Sequence, residues 1–343
     1  MLRRLRKTVN EVLKAYTTFG DEVFGKPRRL HQLNLFLLPR LKYSTKKVEA
    51  TMQKIIGSSN GLLFPSSAKK CKTMVVAYSE DHDQGIQDHY LFRTYEHQPS
   101  HWASLVLNAG PANDIPIWKV ARATSSAPLY FDSVVTEPGT GVAQKKTFFD
   151  GGLGANNPSF IALREVLQMN NPANPHTSRC LLVSIGTGLA EPGNHNHTRN
   201  YRVGLRKLLW LKDIFLNYAL NSQRIHMSEV TFATEAAGIP YYRLNVDRGI
   251  DGIELDAWKP AQGGANTLET IREHTSTYLQ KPQVMEWLLN CAHSLVKLRD
   301  EHRHMEEWIE FGEGFLDRWE PGHRRLHRKF SWCNRNDRDM ARN

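Results

Sequence analysis

One stretch of the 343-residue chain joins a carboxylate to residues that would hold it still: Phe148-Phe149-Asp150-Gly151-Gly152-Leu153-Gly154-Ala155-Asn156-Asn157-Pro158. Apolar residues that read as a strand end at Asp150, two glycines follow, and Asn157 and Pro158 supply an N-cap and a first helical residue. Phe160, Leu163 and Leu167 then share one helix face. A carboxylate fixed at the carboxyl edge of a sheet sits where α/β proteins build their sites. There it can act as a general base when a hydroxyl or a water must lose a proton. Bare glycines at 151 and 152 keep side chains away from an approaching substrate. The same residues also suit a plain strand-to-helix turn with Asp as an ordinary turn residue. Spacing alone leaves both readings open.

A second segment, Trp118-Lys119-Val120-Ala121-Arg122-Ala123-Thr124-Ser125-Ser126-Ala127-Pro128, reads as a closely packing helix that Pro128 turns into extended chain. Arg122 could pair with a carboxylate, as a structural or surface ion pair commonly does. Gly186-Thr187-Gly188 lacks the third glycine of a dinucleotide fingerprint and reads as a tight turn beside the Asp150 strand. His195-Asn196-His197 and His302-Arg303-His304 have no supporting Cys or carboxylate, so no metal site is expected.

The elements that must position these residues alternate along the chain. Helices are expected at 1–23, from a Ser44 cap to Ile56, and at 117–124, 158–169, 205–230 and 267–297; strands at 73–78, 146–149, 179–185 and 241–246. This alternation points to an α/β layer with a largely parallel sheet.

RATSSAPLYF at 122–131, DGGLGANNP at 150–158 and SIGTG at 184–188, in this order, resemble the patatin-like phospholipase family, its larger fungal-type members in particular. The resemblance continues into YRLNVDRG at 242–249 and LDAWK at 255–259 and covers residues 1–297. It implies a layered α/β fold with a largely parallel central sheet flanked by helices. Residues 1–297 would form the acyl hydrolase domain and 298–343 a charged helical extension. The implied activity is hydrolysis of phospholipid or other acyl-lipid esters by a Ser-Asp dyad without a His. Asp150 would be its general base and proton acceptor, Gly151 and Gly152 the rest of the DGG motif, and no metal or organic cofactor would be needed.

The family's nucleophile stands on a G-x-S-x-G elbow between a strand and a helix, preceded by a glycine-rich oxyanion loop. The first residues here resemble the helix after that elbow. The sequence is therefore expected to start past the nucleophile, with a fold incomplete at its N-terminus. Gly57-Ser58-Ser59-Asn60-Gly61 matches the pattern but follows a helix, so Gly57 reads as a helix C-terminal residue and Ser59 as a decoy. The alternative function is an inactive family member that binds lipid or a protein partner.

Net charge is +10, and residues 1–50 alone hold 12 Lys and Arg against 4 Asp and Glu. Such an excess attracts phosphate, on nucleic acid or on an anionic membrane surface. No nucleic-acid-binding motif accompanies it, so the expectation is peripheral membrane contact and no nucleic-acid partner. No apolar run approaches the ~20 residues that span a bilayer. The basic stretch Met1 to Lys7 leads into no apolar signal core. Cysteines at 71, 180, 291 and 333 form neither a CxxC pair nor a dense framework, which points to reduced thiols in an intracellular protein, cytoplasmic or peripheral to a membrane.

Overall fold

The computed structural model describes residues 7–25, 41–57, 72–97, 107–128, 130–139, 142, 144–169, 180–189, 225–250, 253, 256–258 and 267–302. Helix α1 (Val9–Phe19) starts in a capping box. The Thr8 hydroxyl accepts the Glu11 N–H at 3.3 Å, and the Glu11 carboxylate accepts the Thr8 N–H at 2.7 Å. The helix widens into a π-helical turn, Gly20–Phe24, where a side chain on Gly20 would come within 2.4 Å of the Trp258 ring. Trp258 Nε1 also donates to Asp21 Oδ1 at 2.7 Å, so the LDAWK segment is pinned to the first helix from far along the chain.

Helix α2 (Thr45–Ile56) begins after Ser44, as the sequence suggests, yet the Ser44 hydroxyl makes no capping bond. It ends at Gly57, whose φ of +100° closes the helix as expected. Ser59 lies outside the described residues.

Strands β1 (Met74–Asp81), β2 (Gln87–Arg93), β3 (Val134–Thr136) and β4 (Lys146–Phe149) form one sheet in the order β2-β1-β4-β3. The expected largely parallel sheet is corrected here, because every pairing in it is antiparallel. Residues 82–86 join β1 to β2, and 137–145 join β3 to β4. Such connections are shorter than the crossover of about a dozen residues that parallel neighbours need. In the β1–β2 turn, Lys146 and the N–H groups of Asp83 and Gln84 hold the Asp81 carboxyl down to about 2. Parallel pairing occurs between β5 (Leu182–Ile185) and β6 (Tyr241–Leu244), a separate two-stranded sheet. The mixed α/β class stands, while the SIGTG strand pairs with β6 and not with the Asp150 strand.

Helix α3 (Ile117–Thr124) lies between two cores. Val120 and Ala123 pack with Ala77, Tyr90, Phe92 and Phe148 of the sheet, whereas Trp118 and Ala121 face Val23, Tyr43, Val48 and Phe131. Burial of aromatic pairs such as Phe92 and Phe148, whose ring centroids are 4.9 Å apart, dominates the sheet side.

The turn α4 (Gly152–Ala155) and helix α5 (Ser159–Met169) follow β4 directly. Helix α6 (Thr231–Ala236) precedes β6, after a π-helical turn, Ile225–Val230, that is the described end of the expected 205–230 helix. The expected helix at 267–297 is two, α7 (Thr267–Leu279) and α8 (Pro282–His302). Pro282, lacking an N–H, fits a first helical position and not an interior one. Most of residues 298–343 lies outside the described residues. Among the described residues no helix is long and apolar enough to cross a membrane.

Candidate active site

Asp150 leaves the end of β4 and is fixed by its backbone. Its N–H donates to the Ser126 carbonyl at 3.1 Å, and the next amide, Gly151 N–H, donates to the Thr124 carbonyl at 3.0 Å. Both acceptors belong to the C-terminal turn of α3, which the Thr124 hydroxyl ties to the β1 carbonyl of Val76 at 2.5 Å. Strand, helix end and motif are thus one hydrogen-bonded unit.

Gly151 has an ordinary helical φ of −62°. Its requirement is space, since a Cβ there would sit 2.2 Å from the Val76 carbonyl oxygen and 3.1 Å from the Thr124 hydroxyl. The bare position therefore lets the motif lie against β1, a different use from keeping a substrate path open. At Gly152 a Cβ would meet Asp150 Oδ1 at 3.0 Å, so this glycine does keep the carboxylate uncrowded. Gly154, at φ +91°, takes a left-handed turn that an L side chain would strain.

The Asp150 carboxylate is half-buried, and among the described residues it accepts one hydrogen bond, from Gly152 N–H to Oδ1 at 2.7 Å. Burial pushes its pKa above the ordinary carboxylate value, and the Gly152 amide opposes this in part. A carboxyl group with spare acceptor capacity and raised basicity can take a proton from a hydroxyl or a water.

Helix α5 carries the other end of the motif and is anchored twice. At its start the Ser159 N–H donates to Asn157 Oδ1 at 3.2 Å, so Asn157 caps the helix as its sequence position suggests. The Ser159 hydroxyl then lies 2.6 Å from that of Ser184 on β5, which also accepts from Arg243 Nη1 at 2.6 Å. Further along, buried Glu165 receives Arg93 through both Nε and Nη2, the latter at 3.1 Å, and the Tyr95 hydroxyl at 2.9 Å. Arg93 Nη1 and Nη2 also donate to the carbonyls of Asn108 and Leu107. Burial alone would raise the Glu165 pKa, but Arg93 and Tyr95 outweigh it and leave the carboxyl below its ordinary value. His97 Nδ1 stands 3.4 Å from the same carboxylate, and burial lowers its pKa.

The geometry therefore brings together Asp150, Gly151, Gly152 and the RATSS helix end. Sequence reading missed the Glu165 network, although Arg93, Tyr95 and His97 alternate on one face after the apolar Tyr90-Leu91-Phe92. Three polar side chains at that spacing were the available signal. His195-Asn196-His197 and His304 lie outside the described residues. Among those described, no group of three or more His, Cys, Asp or Glu could hold a metal ion.

A family model described as patatin-like phospholipase matches residues 5–163, which contain α1 to the first part of α5 and the whole DGG turn. The chain is 24% identical over 245 residues to phospholipase A I of Arabidopsis thaliana, covering 64% of this chain and 17% of that protein. It is 34% identical over 139 residues to patatin-like phospholipase 1 of Plasmodium falciparum, covering 37% of this chain and 19% of the relative. It is also 24% identical over 265 residues to the 85/88 kDa calcium-independent phospholipase A2 of Rattus norvegicus, 70% of this chain and 29% of that one. The chain thus spans less than a third of the length of each of these relatives.

Proposed function

We propose, for a chain whose residues 5–163 belong to the patatin-like phospholipase family, a lipid acyl hydrolase in which Asp150 is the general base of a Ser-Asp dyad. The observation that carries this reading is the state of the Asp150 carboxylate: fixed backbone, one recorded hydrogen bond, raised pKa. In this scheme the hydroxyl of a serine outside the described residues attacks the ester carbonyl while Asp150 accepts its proton and returns it to the departing alkoxide, forming an acyl-enzyme and releasing the alcohol. Asp150 then takes a proton from the water that hydrolyses the acyl-enzyme. Phospholipid is the substrate class that the relatives' names suggest, and other acyl lipids carry the same kind of ester bond. The basic excess of residues 1–50 would favour contact with an anionic membrane that presents such a substrate.

The test offers a phospholipid ester in mixed micelles to the full chain. Turnover is expected to rise with pH through the Asp150 midpoint, because the base must be ionised, and to be lost in Asp150→Asn. Turnover that persists in Asp150→Asn would overturn the reading. A parallel Ser59→Ala variant decides whether that serine is the nucleophile.

One observation favours a second reading: among the described residues no side-chain hydroxyl is recorded donating to the Asp150 carboxylate. An inactive member would bind lipid or a protein partner, sedimenting with vesicles while releasing no fatty acid. Ester turnover that depends on Asp150 would dispose of it.

A further inference from the structure

Arg122 is the most deeply enclosed cation of the α3 turn, 1% exposed. Its neighbours are unusual for a buried guanidinium, because no carboxylate lies within ion-pair distance among the described residues. Nη1 donates to the Ser126 hydroxyl at 2.7 Å and Nη2 to the Asp132 carbonyl. Nε is buried with no hydrogen-bond partner among the described residues, and the group lies over the Phe131 ring, 5.7 Å from its centroid. Burial lowers the Arg122 pKa, with the more distant Glu49 and Asp132 charges opposing. A charge enclosed with so little compensation is costly to the fold, which asks what it holds.

The answer lies one bond away. The Ser126 hydroxyl that Arg122 grips donates back to the Arg122 carbonyl at 2.7 Å, closing the last turn of α3 on itself. Ser126 then presents its carbonyl to the Asp150 N–H at 3.1 Å, and Thr124, two residues away, presents its own to Gly151 N–H at 3.0 Å. Through Nη2 the same guanidinium ties this turn to residue 132, two residues before β3, the sheet neighbour of β4. Arg122 thus stitches together the acceptors that fix Asp150 and the chain beside its strand.

We infer that Arg122 is a positioning residue, holding the Ser126 and Thr124 carbonyls so that the Asp150 carboxylate stays in its partly dry seat. The role bears on catalysis only if Asp150 is the general base proposed above. When the stitch is cut, the C-terminal turn of α3 loosens and water reaches the carboxylate. The two influences on its titration are burial, which raises it, and the Gly152 amide, which opposes. That amide contact is local to the 150–153 turn, which the Leu153 N–H to Asp150 carbonyl bond closes by itself at 3.0 Å. Loosening therefore removes the raising influence first.

The experiment is a carboxyl-carbon NMR titration of the full chain, with Asp150→Asn assigning the resonance. In Arg122→Gln and in Ser126→Ala the Asp150 midpoint is expected to fall by about half a pH unit or more toward the ordinary value. The double variant is expected to fall no further than the larger single effect, because both cut one link. Arg122→Lys, with one donor group in place of a fork, is expected to restore part of the shift. An Asp150 midpoint unmoved in both single variants, with thermal stability lowered, would mean a purely structural arginine and would overturn the inference. Additive shifts in the double variant would overturn it as well. Ser126→Ala, the milder change, keeps the test open where Arg122→Gln does not fold. The titration needs no turnover, so a chain whose hydrolysis ignores Asp150→Asn sinks the general-base reading and leaves the positioning claim to its own measurement.

Discussion

Asp150 and Glu165 lie on one continuous run, from the end of β4 into α5, yet the fold treats the two carboxylates in opposite ways. Glu165 is saturated: a two-pronged guanidinium and a phenol hydroxyl satisfy its oxygens, and its pKa falls below the ordinary value although burial works against this. Among the described residues the Asp150 carboxylate has one hydrogen bond, from the amide two residues on, and burial leaves its pKa raised. A saturated carboxylate is locked in its charged form and has no proton to exchange, which suits an anchor. An under-partnered one held by its backbone keeps a lone pair for chemistry, which suits a base. The Glu165 anchor holds α5 in place without any bond to the Asp150 side chain.

The contrast can be broken from the anchor side first. Glu165→Ala strands the Arg93 charge among buried neighbours and is expected to cost about 3–5 kcal/mol, read by urea unfolding. Gly151→Ala is expected to cost about 1–3 kcal/mol, because the new methyl meets the Val76 carbonyl, part of a strand that cannot yield as a side chain would. Tyr95→Phe removes one of several bonds to Glu165 and should lose about 1 kcal/mol in the same assay.

The smallest effect sharpens the base side and has the opposite sign. Because folding raises the Asp150 pKa, this group's favourable contribution is fully present below its unfolded value near 3.8 and is lost as pH rises through the folded midpoint. Asp150→Asn, which cannot ionise, should therefore melt higher than the unaltered chain at neutral pH, with the gap closing in acid. A gap that does not depend on pH would show that the carboxylate feels no burial.

The DGG turn was legible because it is local. Asp150, its glycines and the Asn157-Pro158 helix start are contiguous, and each follows from backbone preferences that one sequence carries. The β1–β2 hairpin was hidden because β2 opens with Gln87-Asp88-His89, which reads as part of a polar loop, while its apolar half, Tyr90 to Phe92, is short. Missing β2 removed the antiparallel partner of β1 and left a parallel arrangement as the natural expectation. The Arg93–Glu165 pair joins residues 72 apart and no local rule announces it. Arg122 was visible as a charged residue in a helix of small residues, but its bond to the Asp132 carbonyl depends on the path the chain takes after that helix.

Ester turnover by the full chain, compared between Asp150→Asn and Tyr95→Phe at a temperature where both are folded, tests the division of labour most directly. The expected result is a loss of about 10²–10⁴-fold in Asp150→Asn, the usual contribution of a positioned general base, with Tyr95→Phe within twofold of the unaltered chain. Equal turnover in all three proteins would contradict the assignment of the chemistry to Asp150.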